Sequence, residues 1–131
     1  MLKPELPAEL KDKVPVLSVV TMPADTNSRG DIFGGWLMSQ MDLAGAARTL
    51  EITDSDIATR FAETSFEKPI YVGERVSFYA EVVKKGQTSV TIEIDVWSLR
   101  RKRRVYEKVA SGKYVYVAID EHKKKKTMGD A

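Results

Sequence analysis

Gly30-Asp31-Ile32-Phe33-Gly34-Gly35-Trp36-Leu37-Met38-Ser39-Gln40-Met41-Asp42, continuing as Leu43-Ala44-Gly45-Ala46-Ala47-Arg48, is the stretch on which the reading of this chain turns. From Phe33 to about Leu50 it has no proline and is rich in Leu, Met, Ala and Gln, which favours a helix. Phe33, Trp36, Leu37, Met38, Met41, Leu43, Ala44, Ala46 and Ala47 go round the whole cylinder, the mark of a helix wrapped on most sides. Within it stands one carboxylate, Asp42, and the residues a turn away (Met38, Ser39, Gly45, Ala46) offer no charge to pair with it. Aspartate is a mediocre helix former and is rarely buried unless paired or functional. Gly34 and Gly35 at the helix start each cost about 1 kcal/mol against alanine, so the backbone needs them there. Either they let another molecule approach the free N–H groups, which attract an anion or a polarised carbonyl oxygen, or they let the helix pack closely on a sheet. Asp42 lies eight residues beyond Gly34, about 12 Å along the axis at about 1.5 Å per residue.

Working outward, Val14 to Met22 is β-branched and apolar, a first strand that Pro23 ends, with Pro15 marking an early or edge position. Ala24 to Gly30 is turn chemistry, and Asp31 is expected as the helix N-cap. Ile57 to Phe66 reads as a second strand. Glu74 to Val83 follows with Val76, Phe78, Ala80 and Val82 on one face, and Lys84-Lys85-Gly86-Gln87 makes a hairpin turn. Thr88 to Leu99 puts Val90, Ile92, Ile94 and Val96 on one face and Thr91, Glu93, Asp95 and Trp97 on the other. Arg100 to Arg104 turns the chain into a last strand, Val105 to Ile119. A strand, a long helix and four strands on short loops define an α+β domain over residues 14–119, a long helix against an antiparallel sheet. Residues 1–13 are expected as an N-terminal arm. Residues 120–131, with Lys123 to Lys126, are expected as a polar, disordered tail.

Met22-Pro23-Ala24-Asp25-Thr26-Asn27 followed by the Gly30–Asp42 stretch resembles the bacterial hotdog-fold acyl-CoA thioesterases of the YciA type, over about Pro15 to Ile119. The resemblance implies a hotdog fold, a long central helix wrapped by a five-stranded antiparallel sheet, and hydrolysis of acyl-CoA to free fatty acid and CoA. It carries the catalytic aspartate onto Asp42 and implies Asn27 as an amide near the thioester. Asp31 stands where related double-hotdog thioesterases carry asparagine, so it is expected to shape the loop or line the CoA site rather than to catalyse. Phe33, Ser65, Gly86, Thr88 and Ser89 are expected beside the ligand, Ser65 with an ordinary strand role equally open. The resemblance further implies subunits joining their sheets in a dimer with active sites at its interface, and a hexamer built as a trimer of dimers. Trp97, Tyr114 and Tyr116 are expected on exposed faces that assembly would bury.

The residues agree with that chemistry by what they exclude. The only histidine, His122, lies in the tail, and there is no cysteine, which removes Ser-His-Asp and Cys-His machinery and a histidine-rich zinc site. No Walker loop and no GxGxxG is present. Thioester hydrolysis needs a base or nucleophile and donors for the developing oxyanion. Asp42 serves as the first, in either role, and the N–H groups of Gly34 and Gly35 as the second. No metal and no cofactor beyond the CoA of the substrate is expected. Arg100-Arg101-Lys102-Arg103-Arg104 is either a solvated loop or a grip on CoA phosphates, with Arg101 and Arg103 as candidates. With 43% apolar and 31% charged residues and a formal net charge of +2, the 131-residue chain reads as one globular domain without nucleic acid as partner. No stretch approaches the roughly 20 apolar residues of a membrane span, and a cytoplasmic setting is expected. The alternative is a non-catalytic acyl-CoA sensor. Such regulators join the hotdog to a DNA-binding segment, and nothing before Val14 or after Asp120 is long enough for one.

Overall fold

A computed structural model describes residues 3–130. Strands β1 (Leu17–Val20), β2 (Asp56–Phe66), β3 (Arg75–Lys85), β4 (Ser89–Leu99) and β5 (Tyr106–Ile119) form one antiparallel sheet in the order β1-β3-β4-β5-β2, with helix α1 (Gly34–Leu50) packed on its inner face. The period-2 patterns dictate that face: Val76 and Phe78 of β3 and Val90, Ile92, Ile94 and Val96 of β4 are all fully buried. They meet Leu37, Met41 and Ala44 of α1. This is the hotdog arrangement. Among the described residues no helix is long and apolar enough to cross a membrane.

Several local expectations are corrected. Asp31 is not the N-cap. A backbone bridge from Thr26 to Ile32, with Ile32 N–H on Ile70 C=O and Phe33 N–H on Asp25 C=O, keeps the chain extended through Phe33. Phe33 therefore takes the N-cap position, and the helix starts at Gly34 with no side-chain cap. The first strand is shorter than Val14–Met22, because Pro15 has no N–H to donate and the Met22 N–H is taken by the Asp25 carboxylate. Helix α1 is wrapped by the five-stranded sheet as expected, with one flank left open. Leu37, Met41, Ala44, Gly45 and Thr49 form its buried stripe, while Leu43 and Leu50 are each 60% exposed. The aromatic side chains expected on open faces are buried within the single chain. Tyr114 and Tyr116 point under α1, and Trp97 on the outer face packs with Tyr79 beneath Leu10 of the N-terminal arm. The C-terminal residues also pack rather than trail away, with Met128 in the main core and Gly129 N–H on Ser55 Oγ.

β2 is one of the two edge strands of the sheet. Its outer side has no strand partner among the described residues, and it carries two exposed aromatic side chains, Phe66 over the start of α1 and Phe61, which shares the opposite face of the sheet with its ladder partner Val115. A long strand edge with exposed aromatic side chains leaves a row of backbone N–H and C=O groups free to pair. A bulge at Arg60 shifts the β2–β5 register: Thr59 stands opposite Tyr116 before it, and Phe61 opposite Val115 after it. An extra residue swaps which side chains face inward, so Thr59 on one side of the bulge and Thr64 on the other both reach the helix.

Candidate active site

Asp42 finds its partners in the sheet. Thr59 Oγ1 donates to Asp42 Oδ1 at 2.7 Å, and the Tyr116 hydroxyl lies 3.1 Å from the same oxygen and 2.8 Å from the Asp42 backbone carbonyl. Thr59 and Tyr116 are direct ladder partners on β2 and β5, so both rise toward α1 from one spot. Gly45 makes room for them: a Cβ there would overlap the Tyr116 hydroxyl. Burial first, then the charge of Asp42, pushes the Tyr116 hydroxyl far above its ordinary pKa, so it stays a donor. Asp42 Oδ2 has no hydrogen-bond partner among the described residues. Sequence reasoning singled out Asp42 but missed Thr59, Tyr116 and Gly45. A glycine in mid-helix was a legible signal; the cross-strand pair was not, because the bulge sets its register.

The oxyanion candidates gather at the start of α1. Its first intrahelical bond runs from Leu37 N–H to Phe33 C=O at 3.3 Å, which leaves the N–H groups of Gly34, Gly35 and Trp36 without an intrahelical partner. Asn27 Oδ1 accepts the N–H groups of Arg29 (2.9 Å) and Asp31 (3.2 Å), fixing the loop and leaving the amide NH2 to donate elsewhere. Asn27, Asp31, Gly34 and Phe66 line one cleft of about 330 Å³. Phe33 is 40% exposed at its edge, and the Phe66 ring sits over Gly34. Here the structure brings Asn27, Asp31 and Gly34 to one cleft. It does not bring them to Asp42. The roughly 12 Å from Gly34 to Asp42 along one helix exceeds what a single carbonyl group and its attacking oxygen can bridge.

Lys68 and Pro69 separate that cleft from a larger one of about 670 Å³, lined by Tyr71, Arg100, Arg101, Lys102 and Arg103 among others. Five cations line it against two carboxylates, Glu74 and Glu107. The arginines are not equivalent. Arg100 is buried and bonded to Glu74 at 2.7 Å, so the basic run is not a uniformly solvated turn. Arg103 pairs with Glu107, and Arg101 packs over Gly73 at the cleft wall. Gly86, Thr88 and Ser89 lie in the β3–β4 hairpin, at the other end of β4 and about 30 Å from this cleft. Ser65 is exposed and alternates away from Thr64, which faces the chain's own helix.

Glu107 ties Lys68, Arg100 and Arg103 together, and its carboxyl is lowered from 4.5 to about 2, chiefly by the Lys68 hydrogen bond and then by Arg100. A carboxyl whose folded pKa is depressed adds stability above its ordinary pKa and loses it as pH falls toward the folded one. The thermal midpoint is therefore expected to fall between pH 4.5 and about 2. In Glu107→Gln, part of that fall should be missing and the midpoint at pH 7 should be lower. Parallel midpoint-against-pH curves for the two proteins would refute the assignment.

The comparisons with known proteins give the family. The thioesterase superfamily model matches residues 29–104. The acyl-CoA thioester hydrolase YciA of Escherichia coli K12 is 43% identical over 117 residues, covering 86% of this chain and 89% of that protein. A hexameric thioesterase of Yersinia pestis superposes with a TM-score of 0.82 at 40% identity, covering 95% of this chain and 98% of that one. A hexameric hotdog-fold thioesterase of Campylobacter jejuni gives 0.81 at 35%, covering 88% and 90%. The chain belongs to the YciA-like acyl-CoA thioester hydrolases of the hotdog thioesterase superfamily.

Proposed function

We propose that this protein hydrolyses acyl-CoA thioesters to a free fatty acid and CoA in a site shared between two subunits. Asp42 comes from one subunit, and Gly34, Gly35 and Asn27 from the other. The observation that carries the reading is the carboxylate of Asp42, held through Oδ1 alone with Oδ2 free. As a base, Oδ2 takes a proton from water while the water oxygen bonds to the thioester carbon; the C–S bond then breaks and the thiolate leaves, to be protonated as CoA. As a nucleophile, Oδ2 bonds to that carbon itself, the C–S bond breaks and the thiolate leaves to be protonated as CoA; water then cleaves the anhydride, releasing the fatty acid and restoring the Asp42 carboxylate. Either way negative charge develops on the carbonyl oxygen, where the N–H groups of Gly34 and Gly35 and the Asn27 amide donate.

The separation of the two halves along one helix is what favours a shared site, and β2 with the open flank of α1 is the surface that would close it. Antiparallel pairing of two such helices brings the N-terminus of one beside Asp42 of the other. A trimer of these dimers gives the hexamer. Arg101 and Arg103 receive CoA phosphates along the cationic cleft, with Gly86, Thr88 and Ser89 contributed from another subunit, since β4 keeps the two groups apart within one chain. Phe33, Asp31 and Ser65 border the same path.

Free CoA released from a panel of acyl-CoAs tests the activity, and subunit mixing tests the sharing. Asp42→Asn and Gly34→Val homo-oligomers are each expected to be inactive. Refolded together, they form mixed dimers with one intact site, and CoA release should return to a sizeable fraction of wild type. Mixtures as inactive as their parents would place the site within one chain.

A further inference from the structure

We infer that Tyr116 is a positioning residue for Asp42: its hydroxyl, in the space left by Gly45, clamps the carboxylate to its own backbone so that Oδ2 is the oxygen that reacts. The inference rests on the catalytic reading of Asp42 above and goes beyond it by saying which group aims the carboxylate. One phenol has one proton, and here it is shared between two acceptors of a single residue, the Asp42 carbonyl at 2.8 Å and Oδ1 at 3.1 Å. That geometry fixes the side chain relative to the helix. Thr59, directly across the ladder, gives its proton to the same Oδ1 at 2.7 Å, which fixes the rotation of the carboxylate plane.

Both donors are thus spent on Oδ1. A carboxylate held by one oxygen keeps the lone pairs of the other for a proton or a carbonyl carbon, and a free rotor would offer them in the right direction only part of the time. The clamp has a structural cost that packing alone does not explain. Tyr116 is 1% exposed, and α1 gives up a side chain at Gly45, a position that favours alanine, so that the hydroxyl can stand where it does. Burial and the neighbouring charge keep the phenol protonated, so the donor persists at any working pH.

Tyr116→Phe keeps the buried ring and removes only the clamp. It is expected to lower kcat about 10- to 100-fold, the range of one hydrogen bond to a charged group. KM should stay within about twofold, because the hydroxyl is buried and, among the described residues, bonded only to Asp42. Gly45→Ala, which displaces the hydroxyl without deleting it, is expected to lower kcat in the same way, with circular dichroism confirming the helix. A kcat within about twofold of wild type in Tyr116→Phe, or a loss shared equally by KM, overturns the proposal. Asp42→Asn run beside it separates the failures. Wild-type turnover in Asp42→Asn overturns both readings, whereas an inactive Asp42→Asn beside a fully active Tyr116→Phe overturns the clamp alone.

Discussion

Replacing Asp42 by Asn is expected to cut kcat for acyl-CoA about a thousandfold while the protein keeps its fold. The side chain stays the same size, and the carbamoyl oxygen can still accept from Thr59 and Tyr116 where Oδ1 does now. What disappears is Oδ2. An NH2 in its place neither takes a proton from water nor attacks a carbonyl, and a positioned base contributes about 10²- to 10⁴-fold. Because the carboxylate acts on the reacting carbon rather than on CoA, KM should change little, the signature of an interaction made in the transition state. Continuous detection of the CoA thiol gives both constants, and a thermal melt within about 2 °C of wild type would confirm the fold. Turnover at the wild-type rate would leave Asp42 a structural helix carboxylate and remove the centre of the proposed mechanism.

How far the sequence discloses such a site is seen by comparing Asp42 with its neighbours. A lone carboxylate in an apolar helix is visible from residue types alone, and so is the alternation of β3 and β4 that builds the floor beneath it. The two hydroxyls that hold it are not. Thr59 and Tyr116 meet only because a single extra residue at Arg60 shifts one ladder against another, and no local propensity announces that register. Tyr114 to Val117 reads Tyr-Val-Tyr-Val, which offers an apolar face in either phase, so the sequence does not say that both tyrosines turn inward. The phase is settled by packing against α1, where the Tyr116 hydroxyl takes the space left by Gly45 and the Tyr114 hydroxyl reaches the Met38 carbonyl. Asp31 shows the same limit at the helix start. Its type suits an N-cap, but two long-range backbone bonds hold Ile32 and Phe33 extended and move the cap along. Composition is no help in telling Arg100 from Arg101, side by side in a run of five cations, because only the fold puts one of them inside.

That difference predicts the largest effect on stability. Arg100 and Glu74 are 6% and 4% exposed, and their charged atoms meet at 2.7 Å. Glu74 Oε1 also accepts the Tyr71 N–H and the Ser98 hydroxyl, each at 3.0 Å, while Arg100 donates to Pro69 C=O at 2.9 Å and to Glu107 at 3.1 Å. Arg100→Met leaves the Glu74 carboxylate buried without a countercharge, which costs about 3–5 kcal/mol. For a domain of this size that lowers the thermal midpoint by about 10 °C or more. Arg101→Met, one residue on and at the cleft wall, is expected to change stability by less than about 0.5 kcal/mol. The double substitution Arg100→Met with Glu74→Leu should recover much of the loss, since removing both charges also removes the desolvation that neither can bear alone. Urea unfolding of the three variants decides the matter. Equal losses for Arg100→Met and Arg101→Met would mean that the inner arginine is held no more firmly than the outer one, and a double variant no better than the single would mean that the ion pair is not what anchors Lys68–Glu74 to the β4–β5 turn.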